Sequence, residues 1–181
     1  MFNKPSPDII AFLNKNSTNI FLNAAKNFIT LLEIAEIKKE EFYQRSHKAL
    51  IELYAAGHNL EQVELKYSGP NSNFDNEKLF ENKNAGYISQ LDKDAFYSEV
   101  FDPIEDKEAE SPVQGWLVDD FYSIYRDLKI ELVKIDKIGT DQAIEDALWQ
   151  LKFGYYNHWG NHCINAMRAL HYMWYEGKSS V

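Results

Sequence analysis

One stretch near the C-terminus, Thr140 to Gly177, constrains this chain more than any other. Within it, the 23 residues from Phe153 to Tyr175 carry a single formal charge, Arg168, and seven aromatic side chains. A surface helix needs a broad charged face toward water, and this stretch has none. The expectation is one long helix, covered on most sides by the rest of the protein. The upstream chain then reads as the cover.

That cover is helical by its periodicity. Ile20, Phe21, Ala24, Phe28, Leu31, Leu32 and Ala35 recur at helical steps, and Phe42, Tyr43, Ser46, Leu50, Leu53 and Tyr54 repeat them. Ser17 or Thr18 suits an N-cap for the first set. Gly57 suits the residue just past the end of the second. No Gly or Pro separates the two sets, so one bent helix and two helices are both open. Ordinary helix lengths favour two, turning near Glu36–Lys39. Leu117, Phe121, Ile124, Leu128, Leu132 and Ile135 give a further helix over Pro112–Ile138. Gly139 ends it, and Thr140 caps the last helix.

Between residues 57 and 111 the chain changes character. Glycine, proline and asparagine accumulate, and Asp102 to Glu110 holds five acids against Lys107. This reads as a long irregular connection, with one helical turn near Glu77–Phe80 and a short helix over Ser89–Val100. Val63 to Tyr67 alternates like a strand but has no expected partner. Residues 1–16 read as a lead-in whose Ile9, Ile10, Phe12 and Leu13 dock on the body. The whole is an all-α, single-domain helical bundle over residues 1–181: four main helices and a shorter fifth, with the C-terminal helix central.

Charge and composition narrow the function. With a net charge of −9 and no Lys/Arg cluster, the field repels a phosphate backbone, which excludes nucleic acid as the expected partner. The one cysteine, Cys163, excludes an internal disulfide and fits a reducing cytoplasm. The longest run free of Lys, Arg, Asp and Glu, residues 153–167, is broken up by Asn, His and Gly160, so no segment is expected to span a membrane. The N-terminal residues lack the cationic start and apolar run of a secretory signal.

On a helical wheel the last helix has three stripes. Leu148, Leu151, Tyr155, Trp159, His162, Ala166, Ala169 and Met173 form a core face with His162 near its centre. Phe153, Ile164 and Tyr175 form a second apolar edge. Between them run Gln150, Gly154, Asn157, Asn161, Asn165 and Arg168, a polar line that reads either as a binding groove or as amides bonded to neighbouring loops. His158 and His162 stand at i, i+4, a spacing that lets two imidazoles reach one metal. Asp120, Asp127 and Glu131 form a stripe on the preceding helix that could face them. A metal held by His158, His162, Asp120 and Asp127 is therefore one reading; an imidazole that only fills the core is the other. Arg168, taken as buried, needs an anion from Asp119, Asp120 or Asp127. Phosphate loops, GxSxG, CxxC and HExxH are all absent, and no cofactor is expected.

Three segments together resemble a known family: Tyr97-Ser98-Glu99-Val100-Phe101-Asp102-Pro103; Asp119-Asp120 with Ile124-Tyr125-Arg126-Asp127-Leu128-Lys129; and His158-Trp159-Gly160 with His162, Ala166 and Arg168-Ala169-Leu170-His171. They are similar to an uncharacterised bacterial family of all-helical proteins, a domain of unknown function common in the Bacteroidetes. The resemblance implies a helical intracellular protein and transfers no activity. The residues it marks are Asp119, Asp120, Asp127, His158, Trp159, His162 and Arg168. Two functions follow as expectations. The first is a non-enzymatic cytosolic adaptor that binds another protein. The alternative is a metal- or small-ligand-binding enzyme using the His/Asp cluster.

Overall fold

Residues 4–33, 37–69, 74, 91, 95–99 and 112–176 are described by the computed structural model. The expected lead-in contains a helix, α1 (Pro7–Leu13), whose proline occupies the first turn where its missing N–H costs nothing. Ile9 anchors α1 in a small apolar cluster with Val63, Ile144 and Leu148.

The two periodic sets are separate helices, α2 (Asn16–Glu33) and α3 (Lys39–Asn59), packed along one another. Helix α2 starts earlier than expected, so Ser17 and Thr18 lie inside its first turn and do not cap it. Gly57 is likewise not the residue after α3: it is buried two positions before the helix ends. A Cβ there would lie 2.5 Å from the Trp159 ring, so glycine is what lets the indole reach the helix. The carbonyls of Gly57 and His58, open at the C-terminal end of α3, accept from the buried Lys152 ammonium at 2.9 Å each. A cation suits that helix end.

Within the span Ser89–Val100, where a short helix is expected, the described residues Phe96–Glu99 form a strand, β1. It pairs antiparallel with β2 (Val113–Trp116), in register Phe96–Trp116, Tyr97–Gly115, Ser98–Gln114 and Glu99–Val113. The following helix, α4, therefore begins at Leu117 and not at Pro112, and ends at Val133. It leads into a wider, π-type turn over Lys134–Ile138. Gly139, in the left-handed region at φ 64, closes that turn, and the Thr140 hydroxyl accepts from the Ala143 N–H at 3.3 Å. Both punctuation residues act as the sequence predicts.

The long C-terminal helix is two helices. Helix α5 (Asp141–Asn157) stops at His158, whose φ −149 and ψ −87 are not helical, and α6 (Trp159–Glu176) starts immediately. Helix α6 packs against α3, α4 and α5, and so remains central. The main core gathers around Phe21, Phe28, Phe42, Phe121, Leu151 and Trp159, with Phe121 in ring contact with both Phe28 and Phe42. The helical turn expected at Glu77–Phe80 and the acidic run Asp102–Glu110 lie outside the described residues. Among the described residues, no helix is long and apolar enough to cross a membrane.

Candidate functional site

The break at His158 sets the phase of α6, and with it the site. The centre of the buried face is Cys163, Ala166 and Leu170, next to Trp159. His162 lies at the margin of that face, its side chain 22% exposed. It is not at the centre, where an unbroken wheel places it. The polar line is also displaced: Gln150, Asn157, Asn161 and Arg168 are exposed, while Gly154 is buried beneath Trp159. No buried groove of amides exists there. The Asn157 amide bonds its own helix at the Phe153 carbonyl. The cover is also thinner than the missing charges imply. Phe153, Ile164, Tyr156 and Tyr172 face water among the asparagines, the two tyrosines 61% and 58% exposed.

Four of the marked residues come together on the α4–α6 seam. Asp120 and Asp127 are seven residues apart on α4, two turns along one face. Asp120, 3% exposed, has a donor on each oxygen: the Tyr97 hydroxyl at 2.5 Å on Oδ2 and His162 Nδ1 at 2.9 Å on Oδ1. Asp127 Oδ2 takes His158 Nδ1 at 2.7 Å. The planes of the two imidazoles are inclined at 75°, with ring centres 4.9 Å apart. Since carboxylates accept, each Nδ1 carries a proton, and in the neutral ring Nε2 keeps its lone pair. The His158 side chain is 53% exposed, so this pair is open to water.

The surrounding charge is negative. The hydrogen bond His162 donates to Asp120 outweighs burial and holds the His162 pKa above its ordinary value, with Asp119 and Asp127 adding to the effect. Burial, then Asp120 and Glu99, push the Tyr97 phenol far upward, so it stays protonated and can only donate to Asp120. The ring of Tyr97 lies across Gly115 of β2, where any Cβ would come within 2.4 Å of it. Burial raises the Cys163 thiol far above its usual range, which leaves it inert as a nucleophile.

Asp119 is exposed and contributes field without contact. Trp159 belongs to the core: its indole donates to the Leu151 carbonyl. Arg168 is exposed and meets neither Asp119, Asp120 nor Asp127, so the expected buried pair does not form. Its need for a partner rested on burial. The proposed four-residue metal set is also changed. Among the described residues, no group of three or more His, Cys, Asp and Glu is placed to hold an ion. Asp120 and Asp127 are spent on the Nδ1 atoms. Tyr97 and Glu99 also bear on the site, and both fall within the first family-like segment. An alternating Phe-Tyr-Ser-Glu run was the available signal for a strand.

Comparisons with known proteins agree with this architecture. The family model described as "Domain of unknown function (DUF5063)" matches residues 13–176. Among solved structures, the crystal structure of protein BF1032 from Bacteroides fragilis is similar to this chain at 22% identity, with a TM-score of 0.68. The match covers 88% of this chain and 93% of that one. Among curated proteins nothing matches.

Proposed function

This chain belongs to the DUF5063 family, and from that premise we propose that it is a cytoplasmic protein that binds a small ligand through Nε2 of His158 and Nε2 of His162. One observation carries the reading. Two adjacent imidazoles are each fixed through Nδ1 by a carboxylate of α4, and both remain in reach of water. Fixed rings cost little ordering on binding, and each presents one defined lone pair. A packing histidine needs neither a dedicated carboxylate nor access to solvent. The same lone pairs suit proton acceptance, so the enzyme form of this reading uses His162, with Asp120 orienting it and Tyr97 orienting Asp120. The buried, lone Cys163 fits the cytoplasmic setting.

The test is 15N NMR of the histidine side chains in the full chain. The expected result, recorded at alkaline pH so that neutral rings are compared, is the Nδ1–H tautomer at both positions, with Nε2 unprotonated. Nε2–H tautomers at both positions reject the ligand site.

A second reading, an adaptor for another protein, has its own observation. Trp149 and Phe153 stack at 4.8 Å on α5, beside the exposed Tyr156. Phe153→Asp with Tyr156→Asp is expected to abolish co-purification of a partner from source cells. Unchanged recovery rejects that surface.

A further inference from the structure

We propose that the ligand at this site is a divalent transition ion of the zinc class, held by Nε2 of His158 and Nε2 of His162 with water in its remaining positions. The inference rests on the ligand-site reading above and names its occupant. Two imidazoles that share one ion through bonds of about 2.0–2.1 Å, at roughly the tetrahedral angle, have ring centres about 5 Å apart. The observed separation is 4.9 Å.

Each imidazole has its own carboxylate: Asp120 holds Nδ1 of His162 and Asp127 holds Nδ1 of His158, which leaves Nε2 of each ring as the atom for a ligand. A carboxylate on the far nitrogen is also the usual outer support of a metal-bound histidine, where it fixes the tautomer and strengthens the ligand. The roles of the four residues therefore separate: the histidines ligate, and the aspartates orient.

Charge selects the class of ligand. Asp119, Asp120 and Asp127 all act on His162, and this negative field opposes an anion and favours a cation. Two neutral nitrogens favour zinc, nickel or cobalt(II) over magnesium or calcium, which take oxygen. With only two protein ligands the ion keeps open positions. It can then polarise a bound water or a substrate oxygen, which is the chemistry such an ion supplies.

The experiment titrates zinc into the tag-free full chain and reads the histidine 15N resonances together with calorimetry. One equivalent is expected to bind and to move both Nε2 signals. His158→Ala and His162→Ala should each weaken binding by at least about 100-fold, and Asp127→Asn by about 10–100-fold, with the circular dichroism unchanged. His158 is half-exposed, so its variant remains informative if the His162 variant fails to fold. Free Nε2 atoms with no saturable binding at millimolar zinc overturn the metal and leave the ligand site standing. Neutral rings that carry their proton on Nε2 overturn both. Binding that survives in the alanine variants puts the ion elsewhere and overturns the proposal.

Discussion

The indole nitrogen of Trp159, the first residue of α6, donates to the carbonyl oxygen of Leu151 in α5 at 3.0 Å. This bond spans the break at His158 and ties the two helices across their shared corner. Its donor is fully buried, with the ring against Phe21 and Tyr155. Trp159→Phe keeps an aromatic ring but removes the donor and leaves a small void. Loss of about 2–3 kcal/mol in urea unfolding is expected, with helix content retained. A loss under about 0.5 kcal/mol would show that the bond does not hold the corner.

The His162–Asp120 pair predicts a pH dependence with a defined sign. His162 has a folded-state pKa above its unfolded value of 6.5. Its contribution to stability is then fully present below that value and is lost as pH rises through the folded pKa. The groups acting on it are Asp119, Asp120 and Asp127 from α4, with Tyr97 from β1 on the far oxygen of Asp120. In metal-free protein, Asp120→Asn should remove this falling limb from a plot of unfolding free energy against pH. An unchanged limb would assign it to another group.

Lys134 is a buried ammonium at the π-type turn, 2.9 Å from Glu131 and 2.8 Å from Asp146. Burial lifts the Glu131 carboxyl to about 7 even though Lys134 opposes the shift. Lys134→Met leaves the buried Glu131 and the part-buried Asp146 without their cation, and about 3–5 kcal/mol should be lost at neutral pH. Without Lys134 the Glu131 pKa rises further, so the loss should be smaller at pH 5, where Glu131 takes up a proton, than at pH 8. Equal losses at the two pH values would exclude Glu131 as the responsible acid.

Glu145, on α5, accepts the backbone N–H groups of Lys66, Tyr67 and Ser68 at 2.7–2.8 Å, and the Ser68 hydroxyl as well. Burial works against the charge, but those donors together hold the carboxyl below its ordinary pKa. Glu145→Gln turns one acceptor into a donor facing N–H groups. The expected cost is about 3 kcal/mol, with faster hydrogen exchange at 66–68 and a shallower loss of stability in acid. Exchange rates at 66–68 that match wild type would mean the segment is held by other contacts.

Much of this architecture is legible in the residues, and the misses share causes. The stripes of α2, α3 and α4 are amphipathic over several turns, so periodicity finds them. Gly139 and Thr140 mark a boundary by their own chemistry. The break at His158 is not legible because the apolar rhythm of Leu151, Tyr155 and Trp159 continues through it. An unbroken wheel then puts His162 too deep in the core and makes Arg168 demand a partner. Missing charge is a poor guide to burial in α5 and α6, because asparagine and tyrosine face water without it. Segment 63–67 alternates like a strand with no partner to pair with, and a single glutamate holds its end. In the site, the His and Asp spacings suggest that the residues face one another. Which nitrogen each carboxylate takes depends on the crossing of α4 and α6, and no spacing encodes that.

Gly160 gives the corner a further consequence. A Cβ at this position would sit 2.0 Å from the Tyr155 backbone oxygen, so the first turn of α6 can approach α5 this closely only with glycine there. Each residue of an α-helix advances the azimuth by about 100°. A single insertion or deletion between Asn157 and Gly160 would therefore swing every side chain of α6 by that angle. Trp159 and Leu170 would leave the interior in the same motion that carried His162 away from Asp120. The angular setting of the site is locked to that of the core, and neither can be re-indexed without the other.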